Sequence, residues 1–141
     1  TANLPIGKTI RFSNLADGSL MDATGHGLMH SSGNRNDMRT QVKFVVEDRG
    51  KGKIALKTAD GRYVYIAGAG LSGDVRLTSD SSKAEEFVWQ DMLYHRCMLL
   101  SLKTQRYVGK NPIDGSPYSA DYQGADAGMK NGCVFTWEVV E

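Results

Sequence analysis

The chain has 141 residues, with 17 basic and 16 acidic side chains and a formal net charge of +1. That length fits one domain, large enough to bury a core without disulfide or metal staples. The near balance of charge excludes a strong field toward nucleic acid or an anionic membrane, and no run approaches the ~18 apolar residues of a membrane-crossing helix.

In chain order, the opening Thr1-Ala2-Asn3-Leu4 has no initiating Met and no signal-peptide pattern, so it reads as the start of a processed or trimmed piece. Thr9–Leu20 reads as a strand, the turn Ala16-Asp17-Gly18-Ser19 and the start of a second strand. His26-Gly27-Leu28-Met29-His30 places two histidines four apart, but the surrounding glycines oppose a helix, so they read as loop histidines without a metal. Val42, Phe44 and Val46 alternate with polar residues, the period of a half-buried strand. After the turn Arg49-Gly50-Lys51-Gly52 comes the phrase Lys53-Ile54-Ala55-Leu56-Lys57-Thr58-Ala59-Asp60-Gly61-Arg62-Tyr63-Val64. Its Asp-Gly supplies the positive φ of a tight hairpin.

Gly68-Ala69-Gly70-Leu71-Ser72-Gly73 fits a dinucleotide fingerprint in spelling, but the next segment, Asp74–Ser79, reads as a strand rather than a helix. A glycine-rich hairpin loop is the reading. Ser81–Glu86 is one short 3₁₀ or helical turn, with Glu85-Glu86 solvated. Glu47-Asp48, adjacent on a strand, point to opposite faces and form no acid–base pair. Phe87-Val88-Trp89-Gln90 is a strand, followed by the turn Asp91–Arg96. Leu100-Ser101-Leu102-Lys103-Thr104-Gln105-Arg106-Tyr107-Val108 repeats the central phrase in shortened form. A long loop, Asn111–Gly132, precedes the last strand, Phe135-Thr136-Trp137-Glu138. The two cysteines, Cys97 and Cys133, sit in no Cys-x-x-Cys, which argues against zinc; free, partly buried thiols are the expectation, with a disulfide between them as the alternative.

These segments repeat. Phe12 to Leu56 is 44 residues and Leu56 to Leu102 is 46; Phe44 to Phe87 is 43 and Phe87 to Phe135 is 48. Periodic self-similarity marks a repeat architecture. Three repeats of about 45 residues, roughly 7–49, 50–93 and 94–141, each of four short strands, are too few for a propeller. They predict one all-β domain over residues 1–141, a β-trefoil in which each repeat lends strands to a shared barrel.

The phrase Leu56-Lys57-Thr58-x-Asp60-Gly61-Arg62-Tyr63-Val64, followed by Phe-x-Trp strands at Phe87 and Phe135, resembles the fascin-like and ricin-type-lectin-like β-trefoils over nearly the whole chain. The Gln-x-Trp that closes ricin-type repeats is absent, the closing phrases being Val-Val-Glu, Val-Trp-Gln and Thr-Trp-Glu, so no ricin-type sugar site carries over and the fascin-like branch is nearer. The resemblance implies either sugar binding, as a module attached to a glycan-degrading enzyme or toxin, or actin binding.

No nucleophile phrase such as Gly-x-Ser-x-Gly occurs, so a non-catalytic chain is expected, without cofactor. The leading expectation is a secreted, monomeric carbohydrate-binding module recognising an oligo- or polysaccharide and tethered to an enzyme. The alternative is a cytoplasmic fascin-like domain binding actin or another protein. Trp89 and Trp137 occupy equivalent positions, two residues after Phe87 and Phe135, and read either as core aromatics or as sugar-stacking platforms, with Asp91 and Glu138 near them. Tyr65, Tyr94, Tyr118 and Tyr122 lie where loops are expected, with Asp121 between the last two. The candidate saccharide residues are Tyr65, Trp89, Asp91, Tyr118, Asp121, Tyr122, Trp137 and Glu138. Lys8, Lys51, Lys53, Lys57 and Arg62 gather around one hairpin, as a solvated surface or a patch for an acidic glycan or an actin-like acidic partner.

Overall fold

The computed structural model describes residues 4–16, 18–23, 29–31, 40–67, 74–109, 119–122 and 132–140, with backbone alone at 29–31, 74 and 119–122. Twelve strands occur among them: β1 (Thr9–Asn14), β2 (Leu20–Asp22), β3 (Met29–Ser31), β4 (Phe44–Gly50), β5 (Lys53–Thr58), β6 (Tyr63–Ala67), β7 (Asp74–Thr78), β8 (Phe87–Asp91), β9 (Arg96–Ser101), β10 (Arg106–Gly109), β11 (Ser119–Tyr122) and β12 (Phe135–Val139).

Six of them close a barrel. β1 pairs with β4, β4 with β5, β5 with β8, β8 with β9, β9 with β12, and β12 with β1, all antiparallel. Closure removes sheet edges that would otherwise present unpaired backbone. The other six form the hairpins β2–β3, β6–β7 and β10–β11, and β7 touches β11 through Asp74 and Ser119. This is the threefold β-trefoil that the repeat predicts.

The register repeats three times. Each closing-strand Phe faces an apolar residue of its own repeat on one side: Phe44 opposes Ile10, Phe87 opposes Ile54 and Phe135 opposes Cys97. On its other side it faces the polar end of another opening strand: Phe44 opposes Thr58, Phe87 opposes Ser101 and Phe135 opposes Asn14. All three rings are fully buried, as is Phe12. Phe12 lies 5.9 Å from both Phe44 and Phe135 and 5.8 Å from Trp89, ring centre to ring centre. These are the spacings at which tilted aromatic pairs attract.

Asn14, Thr58 and Ser101 are buried polar groups, and each must be bonded. Asn14 donates Nδ2–H to Gly132 O at 2.8 Å and accepts from the Ala16 N–H. The Thr58 hydroxyl accepts from the Arg62 N–H at 2.9 Å and donates to the Asp60 carboxylate. Ser101 donates to Glu85 and accepts from the Thr104 N–H at 3.3 Å. One device thus ends each opening strand and starts its hairpin turn, a short side chain capturing backbone two to four residues on. The Thr58 hydroxyl, then the Arg62 side chain, hold the Asp60 carboxyl below its usual range.

Three expectations shift. Leu102 is not the counterpart of Leu56. Leu99 is, because β9 ends at Ser101 as β5 ends at Thr58, and Leu102-Lys103-Thr104 lie beyond it in the turn; Tyr107, paired with Leu100 as Tyr63 is with Lys57, stands six residues after Ser101 where Tyr63 stands five after Thr58. Val42 is buried but sits in a 3₁₀ turn, Thr40–Val42, and β4 begins at Phe44. Glu85 is not solvated. It is 5% exposed and bound to Ser101, whereas Glu86 reaches outward to Lys53 at 3.4 Å. The 3₁₀ turn Ser81–Lys83 falls where expected, started by the Asp80 carboxylate accepting from the Ser82 N–H. The glycine-rich loop Gly68–Gly73 lies outside the described residues, as does His26. The strands flanking that loop, β6 and β7, pair antiparallel as a hairpin. Cys97 and Cys133 are free thiols, both fully buried rather than partly so. Burial, and then the Asp91 carboxylate, push the Cys97 thiol well above its ordinary range.

Phe12→Ala removes the ring that touches Phe44, Trp89 and Phe135. The expected loss is about 3–5 kcal/mol in a urea titration, against under about 0.5 kcal/mol for Val139→Ala at the surface.

Candidate functional site

The three repeats share a frame, so departures from it are informative. The β4–β5 turn takes three consecutive left-handed residues, Gly50, Lys51 and Gly52, with φ of 82°, 56° and 79°. Six residues after Phe87, as Gly50 is after Phe44, the β8–β9 turn takes the same shape with Leu93, Tyr94 and His95, at φ 66°, 53° and 58°. No glycine relieves this second turn. A left-handed conformation costs an L-residue about 1–2 kcal/mol, and such strain clusters at sites of function. The turn is held by Met92 N–H to Arg96 O at 2.8 Å, Arg96 N–H to Leu93 O at 3.0 Å, and Leu93 N–H to the Asp91 carboxylate at 3.2 Å. It lifts Tyr94 to 84% exposure and Leu93 to 63%.

Beside this turn lies an open cleft of about 580 Å³. Tyr94 and His95 form one wall. Arg11 and Ser13 of β1, Gly18 and Leu20, and Thr136, Trp137 and Glu138 of β12 form the rest. β12 reaches the turn because the Trp137 N–H donates to His95 O at 2.8 Å. The His95 ring stacks on the Trp137 indole at 4.2 Å and 3°. Arg11 donates to Glu138 at 2.9 Å, its guanidinium nearly buried and the carboxylate exposed. The Trp137 Nε1–H is buried and has no acceptor among the described residues. A buried donor without a partner is costly. The cleft therefore combines an exposed ring, a fixed ion pair offering donors and an acceptor, and hydroxyls at Ser13 and Thr136. That set can stack on an apolar face while bonding the hydroxyls around it.

Trp137 and Glu138, both anticipated, meet in this cleft. Asp91, also anticipated, is exposed and holds the strained turn through Leu93. Trp89 lies behind Trp137, its ring 5.9 Å away. Both indoles are only 7% exposed and belong to the barrel core. Neither offers the open face that stacking on a sugar requires, which is the core alternative of the sequence reading. Tyr65 lies elsewhere, half-buried on β6 opposite Arg76, in a second cleft of about 1000 Å³. Tyr118 lies outside the described residues. Asp121 and Tyr122 stand on β11, where Tyr122 opposes Tyr107, and their side chains lie outside the described residues.

Sequence reasoning placed Tyr94 in a loop but not in the site, and passed over His95, Arg11 and Ser13. Two signals were present. An Arg at position 11, between core residues Ile10 and Phe12, faces away from the bore and must find a partner. Aligning Gly50-Lys51-Gly52 with Leu93-Tyr94-His95 shows glycines replaced at turn positions.

No family model matches the chain, and no curated protein matches it. Solved structures do. A designed threefold-symmetric protein, ThreeFoil, superposes with a TM-score of 0.77 at 12% identity, covering 94% of this chain and 99% of that one. A ricin B-like lectin of Macrolepiota procera, determined in complex with lactose, superposes with a TM-score of 0.76 at 15% identity, covering 98% and 99%. At such identities the likeness establishes the β-trefoil fold.

Leu93→Gly gives the β8–β9 turn the residue that Gly50 supplies to its counterpart. The expected outcome is a gain of up to about 1 kcal/mol in denaturant stability, while Leu93→Val, β-branched in a left-handed position, loses stability.

Proposed function

We propose that the chain is a non-catalytic carbohydrate-binding module whose principal site is the cleft beside Tyr94. The observation that carries this reading is the glycine-free left-handed turn that holds Tyr94 out beside the Arg11–Glu138 pair. An exposed phenol ring offers a flat apolar surface for a sugar face. Glu138 accepts from sugar hydroxyls, and Ser13 and Thr136 both donate and accept. The shared fold with a lectin determined with lactose supports the same reading.

The ligand is a neutral stretch of oligo- or polysaccharide, bound at modest strength because the cleft is open to solvent. Trp137 backs the site from the core, and its Nε1–H has no acceptor among the described residues. Asp91 keeps the turn in shape. A secreted module tethered to a glycan-degrading enzyme is the setting in which one weak site is useful, because tethering raises effective concentration.

Titration against a panel of neutral oligo- and polysaccharides, lactose among them, tests the proposal. Tyr94→Ala is expected to weaken the best ligand at least about tenfold, roughly 1.4 kcal/mol, with thermal stability kept or raised. Trp89→Ala, by contrast, is expected to cost about 3–5 kcal/mol of stability. Absence of binding to every glycan in the panel, or full affinity in Tyr94→Ala, defeats the reading.

A further inference from the structure

The second cleft has a different chemistry. Four basic side chains from four places in the fold line it: Arg49 at the end of β4, Lys53 at the start of β5, Lys83 in the 3₁₀ turn and Lys103 in the β9–β10 turn. Two of these charges are matched locally. Arg49 pairs with Glu47 at 2.9 Å and donates to Ser81, and Lys53 pairs with Glu86 at 3.4 Å. Glu85 also lines the cleft, but its carboxylate is buried and takes the Ser101 hydroxyl. Lys83 and Lys103 are exposed and have no carboxylate within ion-pair distance among the described residues, although Asp80, outside the lining, is near enough to feel the charge of Lys83. Among the residues that line it, the cleft therefore keeps an excess of positive charge, four basic groups against two carboxylates, in a chain whose net charge is only +1.

We infer that this cleft is a second binding site, for the anionic unit of an acidic saccharide: a sugar ring bearing a carboxylate or a sulfate ester. The half-buried Tyr65 lines the same cleft and supplies an apolar wall for the ring. The two lysine ammoniums supply charge-assisted bonds to the anion without the planar geometry an arginine would impose, so both anionic groups fit. The modest charge excess favours one anionic group on a sugar over a long polyanion such as nucleic acid, which needs many neutralising contacts. The inference extends the carbohydrate reading and rests on it for the sugar ring, while the anion recognition stands on the lysines.

The test is calorimetric titration of the whole chain with four probes: an oligogalacturonate, a sulfated dextran oligosaccharide, its unsulfated counterpart, and sodium sulfate. At least one anionic oligosaccharide is expected to bind, with the one that binds naming the anion, and to weaken as salt rises from ~50 to ~500 mM. The double variant Lys83→Ala/Lys103→Ala is expected to lose about tenfold or more for that probe, and Tyr65→Ala a smaller factor. Tyr94→Ala is expected to change nothing here, and the double variant nothing at the neutral-glycan site, so the two readings fail separately. The inference is overturned if neither anionic oligosaccharide binds, if the double variant binds like the unaltered chain, if the sulfated dextran binds but its unsulfated counterpart binds as tightly, or if sodium sulfate alone binds as tightly as the oligosaccharides.

Discussion

The structure depends on where three phenylalanines sit. Phe44, Phe87 and Phe135 each lie between an apolar residue of their own repeat and the polar end of another opening strand. Because the strand period is two, a slip of one residue would turn a ring from the bore to solvent. Because the barrel closes, a slip in one repeat would propagate to the others. Phe12 sits among these rings, reaching Phe44, Phe135 and Trp89, so the core behaves as one aromatic cluster rather than three separate contacts.

That constraint decides where variation is tolerated. The opening strands can exchange Ile10 for Ile54 or Cys97, and Phe12 for Leu56 or Leu99, because volume and apolarity are what the bore requires. Asn14, Thr58 and Ser101 differ in shape but all bond nearby backbone and start a turn. The turns outside the frame are free to differ, and the β8–β9 turn does. It keeps the left-handed shape of Gly50-Lys51-Gly52 without either glycine, and presents an exposed tyrosine and a histidine stacked on Trp137. The proposed recognition surface thus joins this turn to residues of the barrel strands β1 and β12.

Much of the frame was legible in the sequence because its signals are local and periodic. Phe followed two residues later by Val46, Trp89 or Trp137 marks three closing strands, and the parity that puts each Trp on the side of its Phe matches their burial. The phase of the third opening strand was not legible. Lys103-Thr104 imitates Lys57-Thr58 in spelling, and only the pairings of Ser101 with Phe87 and of Leu100 with Tyr107 show that one more residue separates the strand end from its tyrosine. The burial of Glu85 was hidden because its partner, Ser101, lies 16 residues away. The cleft was only half legible. Trp137 and Glu138 could be named from their strand, but Arg11 joins Glu138 across 127 residues, and the left-handed turn shows itself only when Leu93-Tyr94-His95 is aligned with Gly50-Lys51-Gly52.

The central claim is that ligand is read by the β8–β9 turn and its flanking strands, not by the repeated core. Backbone amide chemical-shift mapping of the isotopically labelled chain, titrated with the tightest neutral glycan, tests it most directly. The account predicts that the largest shifts fall on Tyr94, His95, Arg11, Thr136 and Glu138, while Phe44, Phe87 and Leu56 stay still. Shifts spread evenly over the three repeats, or confined to residues away from this cleft, would contradict it.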